Sequence, residues 1–270
     1  MDEITQRAEG ISVDIGDMPI LLRTRDALFR QMLTERYAGF IGSESRSQFQ
    51  LDIDVSAPHG EDQAEKDVDV RVDNGEWVLE RGDFRASWNQ QVGKGHVSQT
   101  PNPYAIDSVL RIVHTLILAR AGGFLLHSAS AIRNGKAFLF TGVSGAGKTT
   151  ISRLAPPDVT LLTDEVSYVK RVGDVYQACG TPFAGDLARV GENQSAPIDT
   201  IFLLQKGVIN RREDVDAQAT IRAIMRSILF FANDTELVNM VFQSACDFVD
   251  HVPVQQLTFV PDQRVWDLIG

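Results

Sequence analysis

Cysteine is scarce in this chain: Cys179 and Cys246 are the two among 270 residues. That is too few for a disulfide framework, and they lack metal-ligand spacing, so both read as small core residues of a reducing compartment. There is no cationic surplus. Twenty-six Lys and Arg against 36 Asp and Glu give a formal net charge of −10. This argues against nucleic acid as the main partner, because phosphate backbones are held by excess Lys and Arg. Long apolar runs are also missing. The most apolar helical stretch, 109–119, is interrupted by Arg111 and His114 and falls short of the roughly 20 residues that a membrane-spanning helix needs. The opening Met1-Asp-Glu-Ile-Thr-Gln is polar and acidic, unlike a signal peptide. A cytoplasmic protein that meets no membrane is the expectation.

What is present is an ordinary globular composition, 43% hydrophobic and 23% charged, and one segment of specific chemistry. Gly142-Val143-Ser144-Gly145-Ala146-Gly147-Lys148-Thr149-Thr150 fills every fixed position of G-x-x-x-x-G-K-[ST]. The glycines let successive backbone N–H groups turn inward toward an anion. Lys148 would set a compact positive charge against β- and γ-phosphates, and the Thr149 hydroxyl would ligate Mg²⁺. The apolar run 136–141 reads as the buried strand that feeds the loop, and a helix from about Thr149 to Leu154 should follow with its positive end toward the anion. The pattern predicts binding of a nucleoside triphosphate, with ATP and Mg²⁺ as the cofactors.

The rest of the chain divides by pattern. Residues 1–100 read as a smaller β-rich domain. A helix over 27–40 has Leu28, Met32 and Leu33 on one face with Phe29 and Tyr37 nearby, and strictly alternating strands at 49–55, 68–72, 77–79 and 84–88 suggest an antiparallel sheet with one wet face. The acidic stretch 60–66 reads as an exposed loop. Residues 101–270 read as an α/β nucleotide-binding domain with helices at 104–121, 217–232 and 235–249. If Asn134-Gly135 forms a two-residue turn, residues whose numbers sum to 269 face each other, which sets His127 opposite Gly142 and makes the central sheet mixed.

Other candidate residues gather around the loop. Asp164 ends an apolar strand, where a carboxylate can organise Mg²⁺ together with Thr149. Its neighbour Glu165 reaches the same site only if the strand stops there, since successive side chains on a strand face opposite ways. His127 gains interest from its place beside the loop, whereas His114, among apolar neighbours, reads as structural. His59, His96 and His251 carry no signal. The turn-rich 180–186, with Thr181 and Asp186, reads as a connecting loop or as part of an acceptor site. Lys206, Arg211 and Arg212 read as a solvated basic cluster or an anion site.

Taken together, the His-bearing segment Leu125-Leu-His127-Ser, the 142–150 loop, Leu161-Leu-Thr-Asp164-Glu165 and Gly180-Thr-Pro-Phe-Ala-Gly-Asp186 resemble the HPr serine kinase/phosphorylase family. More particularly they are similar to its uncharacterised HPr-kinase-like branch, whose nucleotide-binding core is shared with the ATP-dependent phosphoenolpyruvate carboxykinases. The resemblance covers roughly residue 104 onward. It implies a P-loop core and a kinase in which Lys148 binds phosphate, Thr149 and Asp164 organise Mg²⁺ and His127 sits by the transferred group. One of Asp164 and Glu165 would take the acceptor proton. True HPr kinases have two aspartates where this chain has Asp164-Glu165 and His-Gly where it has His127-Ser128, and their arginine-containing signature is missing here. The implied acceptor is therefore another seryl-type hydroxyl, on a peptide, protein or small molecule. A homo-oligomer is compatible with the resemblance, since HPr kinases proper form hexamers. The alternative is a non-catalytic ATP-binding accessory protein whose nucleotide state controls partner docking.

Overall fold

Asn134-Gly135 turns the chain as expected, and Asn74-Gly75 turns it in the same way. Asn74 and Gly75 have φ of 49° and 83°, and Asn134 and Gly135 have φ of 52° and 75°. Positive φ at both central residues is what a two-residue hairpin matched to strand twist requires. The structure, a computed structural model, describes residues 9–56 and 66–270. His59 and the acidic stretch, apart from Lys66, lie outside the described residues. The chain is mixed α/β with two large mixed sheets. It divides into two compact units, one running to His114 with Phe231–Asn233, the other formed by Thr115–Phe230 and Asp234–Gly270.

The first unit contains β1 (Glu9–Ile15), β2 (Met18–Thr24), α1 (Ala27–Arg36), β3 (Ile41–Gly42), β4 (Phe49–Val55), β5 (Asp69–Asp73), β6 (Glu76–Arg81), β7 (Phe84–Asn89) and β8 (Lys94–Gln99). The strands form a sheet in the order β3-β1-β2-β4-β8-β7-β6-β5. This sheet is mixed, not antiparallel as the alternation suggested, because β4 runs parallel to both β2 and β8. Alternation reports only that one face is wet. Direction is set by the connections, and α1 supplies the crossover that a parallel β2–β4 pair needs. In β4 the core side takes Leu51 and Ile53 while Asp52 and Asp54 face out.

Helix α1 is shorter than expected, and its core face is rotated by one residue. Asp26 caps it by accepting from the Phe29 N–H at 2.9 Å. The buried positions are Phe29 and Leu33, continued by Tyr37 and Phe40, while Leu28 is 80% exposed. Tyr37 donates to Asp107 Oδ1 at 2.6 Å, and Arg36 pairs with the same carboxylate. Burial of the Tyr37 phenol, beside that carboxylate, raises its pKa well above the usual value.

Asp107 lies on α2 (Pro103–Arg120), whose Val109, Leu110, Val113 and Leu116 are all buried. His114, on the same helix, is fully buried, and its Nε2 donates to the Met18 carbonyl at 3.2 Å. Desolvation lowers its pKa from 6.5 to about 4. Between those values the unfolded chain binds a proton that the folded ring refuses. The stability contribution therefore falls as pH drops through that window and levels off below it, at up to about 1.4 kcal/mol per pH unit. His114→Gln should flatten the dependence. Urea unfolding of both proteins at about pH 7 and about pH 4.5 checks this, with the wild type expected to lose roughly 2 kcal/mol more than the variant on acidification.

The second unit follows with β9 (Phe124–Arg133), β10 (Lys136–Thr141), α3 (Lys148–Arg153), β11 (Thr160–Thr163), β12 (Val166–Val172), β13 (Val175–Cys179), β14 (Ser195–Lys206), β15 (Arg211–Asp214), α4 (Ala217–Ser227), β16 (Ile228–Leu229), α5 (Thr235–His251) and β17 (Val254–Phe259). The β9–β10 hairpin runs from Lys136↔Arg133 to Thr141↔Ser128, every pair summing to 269. On its other edge β10 pairs in parallel with β14, which makes this sheet mixed as the turn predicts. Helix α4 stops at Ser227 instead of continuing to 232, because Ile228 and Leu229 become extended and pair with Leu126 and Leu125 of β9. The core beneath β10 is aromatic. Phe140 stacks on Phe202 at 5.7 Å and meets Trp266 edge-on at 5.5 Å. Trp266 sits in a short 3₁₀ turn, Gln263–Leu268, and its indole N–H donates to the Ile151 carbonyl of α3 at 3.2 Å.

Candidate functional site

Strand β10 is buried from Ala137 to Thr141 and releases the chain into 142–147 at its C-terminal end. Of the loop residues, Val143, Ser144 and Gly145 are exposed while Ala146 and Gly147 turn inward. Gly147 has φ of 116°, and a Cβ on it would come within 2.6 Å of the Phe259 ring. Two independent constraints thus demand glycine here. Lys148 folds back over the loop, its Nζ 3.4 Å from the Gly142 carbonyl, which accepts from it. Partial burial lowers the Lys148 pKa, opposed first by Asp186 and then by Glu165. Thr149 and Thr150 are half-buried on the first turn of α3.

Across from the loop, β11 ends at Thr163, whose Oγ1 accepts from the N–H groups of Glu165 and Val166, both at 3.2 Å. This small turn is what breaks the strand and allows adjacent Asp164 and Glu165 to serve one region. Asp164 is 6% exposed and accepts two backbone N–H bonds, from Gly185 at 2.8 Å and Leu187 at 2.9 Å. The residue between these donors, Asp186, is exposed, and its Oδ2 accepts from Thr149 Oγ1 at the long distance of 3.4 Å. The 180–194 segment packs closely enough on β11 that a Cβ on Gly191 would lie 1.7 Å from the Leu162 carbonyl oxygen.

His127 is half-buried and sits opposite Val166 in the β9–β12 ladder, with its carbonyl accepting from Thr141 Oγ1 at 3.0 Å. The serine that follows it is fully buried yet partnered. Ser128 donates to Ser167 Oγ at 2.8 Å, and Ser167 lies 2.9 Å from Ser130 Oγ. A hydroxyl is tolerated at 128 because β12 and β9 supply its partners.

These side chains surround one open cavity of about 390 Å³, lined by His127, Ser144, Gly145, Gly147, Lys148, Thr149, Thr150, Asp164, Glu165, Gly185, Asp186 and Lys206. Sequence reasoning had not put Lys206 with the loop. It arrives because β14 runs parallel to β10, so its C-terminal end emerges on the loop's side, three residues beyond the Thr141↔Leu203 pair. Among the described residues its ammonium makes no ion pair or side-chain hydrogen bond. Arg211 and Arg212 go elsewhere, to Glu213 and to Gln255 with the Leu268 carbonyl. Asp186 reads in sequence as a connecting-loop residue or as part of an acceptor site, and it lines the cavity beside Thr149. The first unit has a larger opening of about 540 Å³ lined by Arg85, Asn89 and His96 among others. Its lining also carries Asp73 and Glu76 but no lysine and no glycine-rich loop, so chemistry and not size selects the smaller cavity.

The donor set suits a nucleotide with its cation. Hydroxyl and carboxylate oxygens are hard donors appropriate to Mg²⁺, which needs few protein ligands when phosphates and water complete its shell. Among the described residues no group of three or more His, Cys, Asp or Glu is placed to hold a metal.

Residues 99–270 match the sequence model of the family described as SynChlorMet cassette protein ScmC. The chain belongs to that family. No curated protein matches it. Among solved structures, the Hpr(Ser) kinase/phosphatase from Coxiella burnetii is similar at 10% identity and a TM-score of 0.25, over 45% of this chain and 87% of that one. The relation to HPr kinases is thus a distant one at most, and the site must be read from its own residues. In the described residues no helix is long and apolar enough to cross a membrane.

Two loop glycines give a graded test. Gly147→Ala meets both positive φ and the Phe259 ring, and should cost about 2–4 kcal/mol in urea unfolding. Gly145→Ala has open space around its Cβ and φ of 76°, so backbone strain alone predicts about 1–2 kcal/mol. Equal costs would mean the ring yields freely.

Proposed function

We propose that the chain binds ATP with Mg²⁺ at the 142–149 loop and transfers the γ-phosphoryl group to a seryl-type hydroxyl of a peptide, protein or small molecule. The observation that carries this reading is the convergence on one cavity of Lys148, Lys206, the Thr149 hydroxyl and the carboxylates of Glu165 and Asp186. Phosphoryl transfer asks a protein mainly for positioning and charge neutralisation, and this set offers both.

In this reading the loop amides and Lys148 hold the β- and γ-phosphates. Lys206, entering from β14, adds a second cation at the open side. Mg²⁺, when bound, supplies further neutralisation of the phosphate oxygens. Glu165 is the better of the acidic pair for the acceptor proton, because Asp164 is buried with both oxygens engaged by backbone N–H groups. His127, which lines the same cavity, would orient the transferred group. The acceptor oxygen bonds to the γ-phosphorus as the bond to the β–γ bridging oxygen breaks. ADP departs, and the hydroxyl proton passes to the Glu165 carboxylate.

Calorimetric titration with a non-hydrolysable ATP analogue and Mg²⁺ tests the binding step. Lys148→Ala should abolish detectable binding. Lys206→Ala should weaken it about tenfold, the effect of one phosphate-facing charge in a half-exposed site. Retained affinity in Lys148→Ala would remove the loop from the function. For the transfer step, Glu165→Gln should bind the analogue normally and lose phosphorylation of acceptor hydroxyls in a screen of seryl peptides and small alcohols.

A further inference from the structure

Asp164 and Asp186 both line the cavity that holds Thr149, and their surroundings differ in kind. Asp164 is buried, and each of its oxygens already accepts a backbone N–H, from Gly185 and from Leu187. These donors flank one residue at a β-turn that is closed by the Ala188 N–H on the Gly185 carbonyl at 2.9 Å. The residue between the two donors is carried at the corner of that turn. That residue is Asp186, which is exposed, lines the cavity and brings Oδ2 to 3.4 Å from Thr149 Oγ1. The distance is long for an O–H···O bond, so the two oxygens face one another without a tight contact. Gly185 closes the arrangement, since a Cβ on it would lie 2.9 Å from both Asp164 Oδ2 and Glu165 Cβ.

We infer that Asp186, not Asp164, is the carboxylate that faces the nucleotide-bound divalent cation, and that Asp164 is the positioning residue that holds it there. This inference rests on the nucleotide reading above. It accounts for the close hold on the 180–194 segment, which is strapped down at Asp164 so that an exposed acid returns to the phosphate loop from a distance in sequence. One ordered carboxylate beside the Thr149 hydroxyl matches what Mg²⁺ takes from a protein when phosphates supply the other ligands.

The test compares full-length wild type, Asp186→Asn and Asp164→Asn by two readouts. One is the Mg²⁺ concentration giving half-maximal binding of the non-hydrolysable ATP analogue. The other is hydrogen exchange at the Gly185 and Leu187 amides without nucleotide, which needs no activity. Asp186→Asn should raise the Mg²⁺ requirement about tenfold and leave both amides protected. Asp164→Asn should release the amides first and raise the Mg²⁺ requirement only as a consequence. An unchanged Mg²⁺ requirement in Asp186→Asn overturns the inference while the nucleotide reading stands. So does a raised requirement in Asp164→Asn with its amides still protected. Failure of the wild type to bind the analogue at any Mg²⁺ concentration overturns the nucleotide reading, and this inference with it.

Discussion

Strand β10 is hydrogen-bonded along both edges, and the placement of the site depends on that. An antiparallel partner on one side and a parallel partner on the other leave it no freedom to slide, because a one-residue slip would exchange its buried and opposite faces against two neighbours at once. The end of β10 is therefore a fixed point from which the 142–147 loop departs. The antiparallel partner brings His127 to that point, and the parallel partner brings Lys206. Two residues 79 positions apart by their numbers meet at one cavity through strand direction alone.

Polar groups inside this unit are partnered rather than avoided. Ser128, Ser130 and Ser167 form a fully buried hydroxyl group between β9 and β12. Asp164 replaces water with two backbone donors. A buried hydroxyl or carboxylate left unpaired would cost roughly 1–3 kcal/mol or more, whereas a satisfied one ties its elements to a single arrangement. The first unit uses the same device at Asp107, which receives Tyr37 and Arg36.

Local chemistry was legible in the sequence where one residue type answers one backbone need. The Asn134-Gly135 turn announced its positive φ, and the hairpin register followed from it by arithmetic. The mixed sheet around β10 followed from the same turn. What periodicity could not decide was which of two adjacent apolar residues the core takes. Leu28 and Phe29 fit a helical stripe equally well, and only packing on the sheet selects Phe29. Ile228 and Leu229 continue the apolar spacing of α4 but are drawn into pairing with β9. Alternation in the first sheet revealed the wet face but not strand direction. Around the cavity, the loop residues, Asp164, Glu165 and His127 could be singled out from local spacing and neighbours. Lys206 and Asp186 stood in sequence only as one of two readings each, an anion site and an acceptor site, because a parallel pairing and a long returning segment bring them to the loop.

Trp266 gives the second unit an optical handle. Of the three tryptophans, Trp77 and Trp88 lie on strands of the first unit, and Trp266 alone lies in the second. Its indole N–H is bonded to the carbonyl of Ile151, three residues beyond Lys148. Indole emission depends on what the N–H meets, so with Trp77 and Trp88 replaced by phenylalanine the remaining fluorescence would come from a ring hydrogen-bonded to the helix that carries Lys148. A label-free spectroscopic reporter is therefore already built into the base of the phosphate loop.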